Sequence, residues 1–78
     1  MKLPRGVSAD RLIRVLEHLG YQVIRQKGSH VRLRHDGPPG HSVTVPLHNP
    51  IKTGTLHGIL SEVAQMTEIS PDSLLELL

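Results

Sequence analysis

Apolar positions in the first quarter of the chain recur with the spacing of an α-helix. Leucines at intervals of four and three residues fall along one side of such a helix. Ser8 is a favourable N-cap and Gly20 a favourable C-terminal stop, so the pattern predicts a helix over residues 9–19. The predicted core stripe comprises Leu12, Leu16 and Leu19, with Val15 and Ile13 at its margins.

The middle of the chain alternates between apolar and polar residues, as β-strands do. Residues 21–27 are rich in strand-forming side chains, and Gly28-Ser29 then turns the chain into a second strand over 30–35. A third strand is predicted over 41–46, after a turn rich in glycine and proline. Both parities of the first strand contain an apolar residue, so its inward face stays open. The pattern predicts three antiparallel strands.

Two further helices are predicted in the last third of the chain. Apolar residues spaced by three and four follow a helix start near Thr53 or Thr55. Ser70-Pro71 begins a short third helix, because serine is a good N-cap and proline fits the first helical position. The order predicts one α+β domain over 1–78, with helices on one face of a three-stranded antiparallel sheet. The core residues predicted for the second helix are Leu56, Ile59, Leu60 and Val63.

The composition excludes several classes of function. The 78 residues contain no cysteine, which rules out disulfides, thiolate metal sites and a catalytic thiol. Tyr21 is the only aromatic residue, whereas modules that read single-stranded bases stack them on several rings. Any contact with nucleic acid is therefore expected to be with its sugar-phosphate backbone and not with its bases. The first residues contain no apolar run typical of a secretion signal, so a cytoplasmic protein is expected.

The net charge of +2 is unevenly distributed. Basic residues and histidines dominate between Arg25 and His41, where Asp36 is the only acid, while the charges from Ser61 onward are all acidic. The basic stretch favours an anionic partner, although a solvated basic face without a partner is the simpler alternative.

The second strand presents a titratable group beside fixed positive charges. Its apolar residues alternate with His30, Arg32 and Arg34, which therefore share the opposite face. RNA carries its own nucleophile in the 2′-hydroxyl, so cleavage needs a proton acceptor, a proton donor and cations near the phosphate. His30 can accept or donate the proton, and Arg32, Arg34 and Lys27 can offset the developing charge. An ordinary exposed histidine is the alternative for His30.

A second anion site is predicted at the start of the second helix. Unpaired backbone N–H groups there meet a lysine and two hydroxyls in Lys52-Thr53-Gly54-Thr55. Taken by itself, ordinary capping is the simpler explanation of the glycine and the two threonines. His48, on the loop just upstream, is a candidate second titrating group, and a merely solvated loop histidine is the simpler alternative.

The histidines do not have the spacing of a metal site. His30 and His35 differ by an odd number and so point to opposite faces of a strand. No histidine pair has the i, i+4 spacing of a helical zinc site. We therefore expect no metal cofactor.

Four segments resemble the HicA (YcfA-like) toxin family, and together they cover nearly the whole chain. The most specific element is Gly28-Ser29-His30. The chain departs from the family at Leu47, where a basic residue is common, and at His57-Gly58, where the family tends to be more basic. The four segments are Leu19-Gly20-Tyr21, Arg25 to His30, Val43 to His48, and Lys52 to Leu56 with Ile59-Leu60.

The resemblance implies both a fold and an activity. HicA proteins are small endoribonucleases, or mRNA interferases, with a fold like that of double-stranded-RNA-binding domains. The resemblance implies metal-independent cleavage by His30 and neutralisation by a HicB-like antitoxin. A non-catalytic double-stranded-RNA-binding module and a protein-binding adaptor are the alternatives. The expected RNA-binding residues are Lys27, Ser29, Arg32, Arg34, His48, Lys52, Thr53, Gly54 and Thr55.

Overall fold

The computed structural model describes residues 3–78. Along the chain, one helix is followed by three antiparallel strands and then by two helices. The strand order is β1-β2-β3, so β2 is central. The predicted α+β class and element order are confirmed. No helix among the described residues is long and apolar enough to cross a membrane. The elements are α1 (Ala9–His18), β1 (Gln22–Lys27), β2 (His30–His35), β3 (His41–Pro46), α2 (Thr53–Thr67) and α3 (Pro71–Leu77).

Helix α1 begins and ends close to the predicted residues. The Ser8 hydroxyl accepts a hydrogen bond from the Arg11 N–H at 3.1 Å, which caps the first turn. Leu12 and Leu16 are buried as predicted, but Val15 is also buried and Leu19 only half-buried. That difference arises because the helix ends at residue 18, which leaves Leu19 as its cap rather than part of the stripe.

Helix α1 connects directly to the sheet. Tyr21 was predicted to begin the first strand, but it precedes β1 and donates its N–H to the Leu16 carbonyl at 3.0 Å. At the other end of β1, a two-residue turn joins β1 to β2. Gly28 occupies its first central position with φ +57°, a value that disfavours side chains.

A β-bulge resolves the open question about the first strand. Val23 is opposite Leu33 and Arg25 is opposite Arg32, so Ile24 is an additional residue between two ladder positions. Val23 therefore shares the helix-facing side of the sheet with Leu33. β1 is an edge strand, and all six of its residues are exposed.

The core lies between one face of the sheet and the helices. Inward residues of β2 and β3 alternate with exposed or half-buried ones. The apolar face of α2 contributes the four residues predicted from its spacing. The helices therefore cover one face and leave the other open to solvent. The buried apolar residues of the strands and helices are Val31, Leu33, Val43, Val45, Ala9, Leu12, Val15, Leu16, Leu56, Ile59, Leu60, Val63 and Leu74.

Candidate active site

The open face of β2 presents the three polar residues predicted from its alternation. His30, Arg32 and Arg34 are exposed, while the residues between them are buried. Across the ladder, His30 pairs with Pro46 and Arg32 with Thr44. The face is therefore built from β2 side chains and from the short residues of β3 beside them.

A cleft of about 380 Å³ joins this face to the start of α2. It brings together two groups that are separated in sequence: His30 at the start of β2, and Lys52 and Thr55 at the first turn of α2. His48 lies in the same cleft, so two imidazoles share one concave site with a cation. The lining residues are His30, Thr44, Pro46, His48, Lys52 and Thr55.

Hydrogen bonds on both sides of His48 tie its loop to the rest of the fold. The Leu47 N–H donates to the Ser29 carbonyl at 2.6 Å, which ties the end of β3 to the β1–β2 turn. The Ala9 N–H donates to Asn49 Oδ1 at 3.0 Å, which ties the loop to the start of α1. His48 is therefore flanked on both sides by residues bound to the rest of the fold.

The first turn of α2 has no side-chain cap. Lys52 is the N-cap residue, and within the described chain no side chain accepts a hydrogen bond from this turn. The capping explanation for Thr53 and Thr55 is therefore not supported, and the first N–H groups retain their capacity to bind an anion. A Cβ at Gly54 would meet nothing within 4 Å, so the helix start is open to a ligand. Thr53 and Gly54 do not line the cleft.

The two arginines of β2 are held differently. Arg32 Nη1 donates to Thr44 Oγ1 at 3.3 Å, which keeps its guanidinium on the open face. Arg34 Nε lies 3.8 Å from Asp36 Oδ1, and a Cβ at Gly40 would lie 2.7 Å from Arg34 Nη2. Arg34 thus turns toward the β2–β3 connection, and four residues along a strand separate its Cα from that of His30 by roughly 13 Å. It does not belong to the cleft.

Arg25 is a residue of this face that the sequence prediction did not assign. The register places it opposite Arg32, and Lys27 opposite His30, so both side chains share the open face. Its parity with Lys27 was the signal available in the sequence. Within residues 3–78, the only ion pair that the basic residues of this face form is that of Arg34 with Asp36. The open face thus carries a second row of positive charge.

Two histidines of the basic stretch do not reach the open face. His41 is buried at 8% exposure, and its Nε2 lies 2.6 Å from the Tyr21 hydroxyl. Its Nδ1 lies 2.8 Å from the Pro39 carbonyl, which only accepts, so Nδ1 carries the proton and Tyr21 donates to Nε2. Burial, and secondarily the nearby Glu62 carboxylate, raises the pKa of Tyr21 to about 12.

His35 completes this inward cluster. Its ring stacks on that of His41 at a centroid distance of 5.3 Å and lies 4.8 Å from the ring of Tyr21. Its Nδ1 accepts a hydrogen bond from the Gly37 N–H at 2.9 Å, which fixes the neutral tautomer with the proton on Nε2. The prediction that His30 and His35 point to opposite faces is confirmed. In the described part of the chain, no group of three His, Asp or Glu side chains converges as a metal site would require.

Comparison with known proteins gives one result. A family model described as HicA toxin of bacterial toxin-antitoxin matches residues 9–65, which is more than half of the chain and includes every residue lining the cleft. Neither a curated protein nor a solved structure matches the chain significantly. The extent of the family match, together with the α-β-β-β-α-α order, shows that this chain belongs to the HicA toxin family of bacterial toxin–antitoxin systems.

Proposed function

We propose that this toxin is a metal-independent endoribonuclease, an mRNA interferase, with His30 as its catalytic residue. The observation that carries the proposal is the cleft shared by His30, His48, Lys52 and Thr55. It combines proton-transfer groups with a cation at an uncapped helix start, which are the groups needed to cleave a phosphodiester without metal.

The reaction needs one proton acceptor and one proton donor. The neutral imidazole of one histidine accepts the proton of the 2′-hydroxyl while the 2′-oxygen forms a bond to phosphorus. The bond from phosphorus to the 5′-oxygen breaks, and the second, protonated imidazole donates a proton to that leaving oxygen. The products are a 2′,3′-cyclic phosphate and a 5′-hydroxyl. We assign these two roles to the His30 and His48 pair.

Lys52 in the cleft and the adjoining first turn of α2 bind the phosphate. The ammonium of Lys52 and the N–H groups at the start of α2, from Thr53 to Thr55, offset charge that develops on the non-bridging oxygens. Along the open face, neighbouring RNA phosphates contact Lys27, Arg25 and Arg32. Arg34 contacts the RNA farther from the cleaved bond. Ser29 supports the site through its carbonyl, which holds the loop of His48.

The direct test is RNA cleavage in the presence of EDTA by the wild type, His30→Ala and His57→Ala. His57 is an exposed histidine of α2 outside the cleft, so its variant is a matched control. We expect His30→Ala to lose about 10²–10⁴-fold in rate and the control to cut normally. The free energy of unfolding of both variants should lie within about 0.5 kcal/mol of that of the wild type, because the replaced side chains are exposed. Undiminished cleavage by folded His30→Ala would exclude the catalytic role.

A substrate with a sulfur leaving atom distinguishes the two proton-transfer roles. A 5′-thiolate departs without protonation, so the variant that lacks the proton donor should cut a 5′-phosphorothiolate RNA at nearly the wild-type rate. With this substrate, one of the two variants His30→Ala and His48→Ala should regain the wild-type cleavage rate, and the other should remain slow. If neither variant recovers, or if His48→Ala cuts ordinary RNA normally, the two-histidine assignment is wrong.

The fold and the open cationic face are also consistent with a non-catalytic double-stranded-RNA binder. Such a protein would bind RNA without cutting it, and His30→Ala would leave its function intact.

A toxin that cuts RNA also requires restraint in its host cell. We propose that a HicB-like antitoxin supplies it by covering the open face, and that toxin and antitoxin meet in the cytoplasm.

A further inference from the structure

Strand β1 exposes two large apolar side chains at the edge of the sheet. Its one sheet neighbour is β2, and its residues Val23 and Ile24 are 46% and 54% exposed. In the described chain the third large apolar side chain with comparable exposure is Leu77, at 43%, on α3. Two of the three therefore lie side by side on one strand. An exposed edge with apolar side chains is a template for pairing with another strand.

The backbone of β1 has outward-facing hydrogen-bonding groups. Lys27 and His30 flank the two-residue turn, so they form the hydrogen-bonded pair that closes the hairpin. Orientation alternates along a strand, and the N–H and C=O of Gln26 therefore point away from β2. The bulge at Ile24 disturbs the outward row farther along. An added strand would align first with the regular segment from Arg25 to Lys27.

The charges on this edge determine which strand fits. Arg25 is directly opposite Arg32, an arrangement of like charges that destabilises a sheet unless an anion lies nearby. A second copy of β1 would bring two more cations, Arg25 and Lys27, against the same face. Self-pairing is therefore disfavoured, and a strand with acidic side chains on this face is favoured.

We propose that β1 is a docking edge for an extended acidic segment of another protein, which adds as a fourth strand. Residues of one parity in that segment are Asp or Glu and lie beside Arg25 and Lys27. Residues of the other parity are β-branched and lie beside Val23. Nucleic acid is the poorer occupant, because it leaves the outward amide of Gln26 and the apolar side chains unmatched. This inference does not depend on RNA cleavage.

The test uses a peptide of alternating Val and Glu, acetyl-Thr-Val-Glu-Val-Glu-Val-Thr-amide, with the full ¹⁵N-labelled chain. We expect saturable chemical-shift changes of the amides from Gln22 to Lys27, and no such changes with the same peptide carrying Lys in place of Glu. Peptides N-methylated on alternate residues should differ by about ten-fold in affinity, because one set loses the hydrogen bonds to β1. Equal binding by both methylated peptides would overturn strand addition.

A matched pair of variants tests the same edge from the protein side. Proline tolerates an edge position whose N–H faces solvent, so Gln26→Pro should fold but bind the acidic peptide about ten-fold more weakly. Gln26→Thr keeps the N–H and should bind normally. Three results would overturn the proposal. They are shifts confined to α1 or to the cleft, concentration-dependent dimerisation through β1 without peptide, and a β1 response to RNA with none to the acidic peptide.

Discussion

Raising the pH should destabilise this protein through Tyr21. The side chain is 2% exposed, and its hydroxyl donates to His41 Nε2 at 2.6 Å. Burial and the neighbouring Glu62 carboxylate disfavour the phenolate in the folded chain, so its pKa rises from 10.0 to about 12. Above pH 10 the unfolded chain loses a proton that the folded chain retains. The free energy of unfolding therefore falls as the pH rises toward 12.

The size of the effect follows from the shift in pKa. Each unit corresponds to 1.36 kcal/mol, so a rise from 10.0 to about 12 is about 2–3 kcal/mol of stability, present below pH 10 and lost by about pH 12. Tyr21→Phe removes this titration and also leaves buried His41 Nε2 without a donor. That second effect costs roughly 1–3 kcal/mol at neutral pH. The wild type should therefore be the more stable protein at pH 7, and the difference should narrow above pH 10.

The chain makes the measurement simple, because Tyr21 is its only tyrosine and it contains no tryptophan. Tyrosinate absorbance reports the pKa directly, and urea unfolding followed by circular dichroism gives the free energy at each pH. A folded protein whose tyrosine titrates near pH 10 would refute the reasoning. So would an equal alkaline loss of stability in Tyr21→Phe, since lysine titration would then explain it.

Two further predictions concern the open face. Arg25→Ala and Arg32→Ala should each lower the log–log salt slope of RNA binding by about one and weaken many sequences alike, whereas a change confined to one sequence would mean that the arginine reads a base. A bound HicB-like antitoxin should protect His30 from diethyl pyrocarbonate, and its association should slow as salt rises, because steering is screened over about 8–10 Å. Suppressed cleavage with an equally reactive His30 would show that inhibition acts from elsewhere.

The sequence predicted the strands of the hairpin pair β2–β3 and the start of α2 well. Those elements combine strict alternation or helical spacing with strong turn residues, so local propensity and burial agree. Val31 and Leu33 face the core, and the start of α2 at Thr53 is one of the two residues predicted. Where one face of a strand is buried and apolar residues occupy every second position, the alternation determines which residues face the core.

The sequence could not predict the face of Val23 or the burial of His41. The first depends on a bulge, which changes the parity of β1 between Val23 and Arg25 and has no reliable local signature here. The second depends on a donor, the Tyr21 hydroxyl, that lies twenty residues away in the chain. Two of the three histidines in the basic stretch, His35 and His41, therefore lie on the inward side of the sheet and not on the open face. The expected RNA-binding residues also omitted Arg25, which the register brings to that face.

His30 and the start of α2 are better explained together than separately. Taken separately, His30 had the simpler explanation of an exposed histidine, and Lys52 to Thr55 that of ordinary capping. The absence of a side-chain cap on α2 among the described residues weakens the second explanation, and the common cleft weakens the first. An exposed histidine needs no neighbouring helix start, and a helix start needs no histidine. A phosphate would use both, which is why we propose RNA as the ligand of this cleft. The hydrogen bond from the Leu47 N–H to the Ser29 carbonyl ties the end of β3 to the turn that precedes His30.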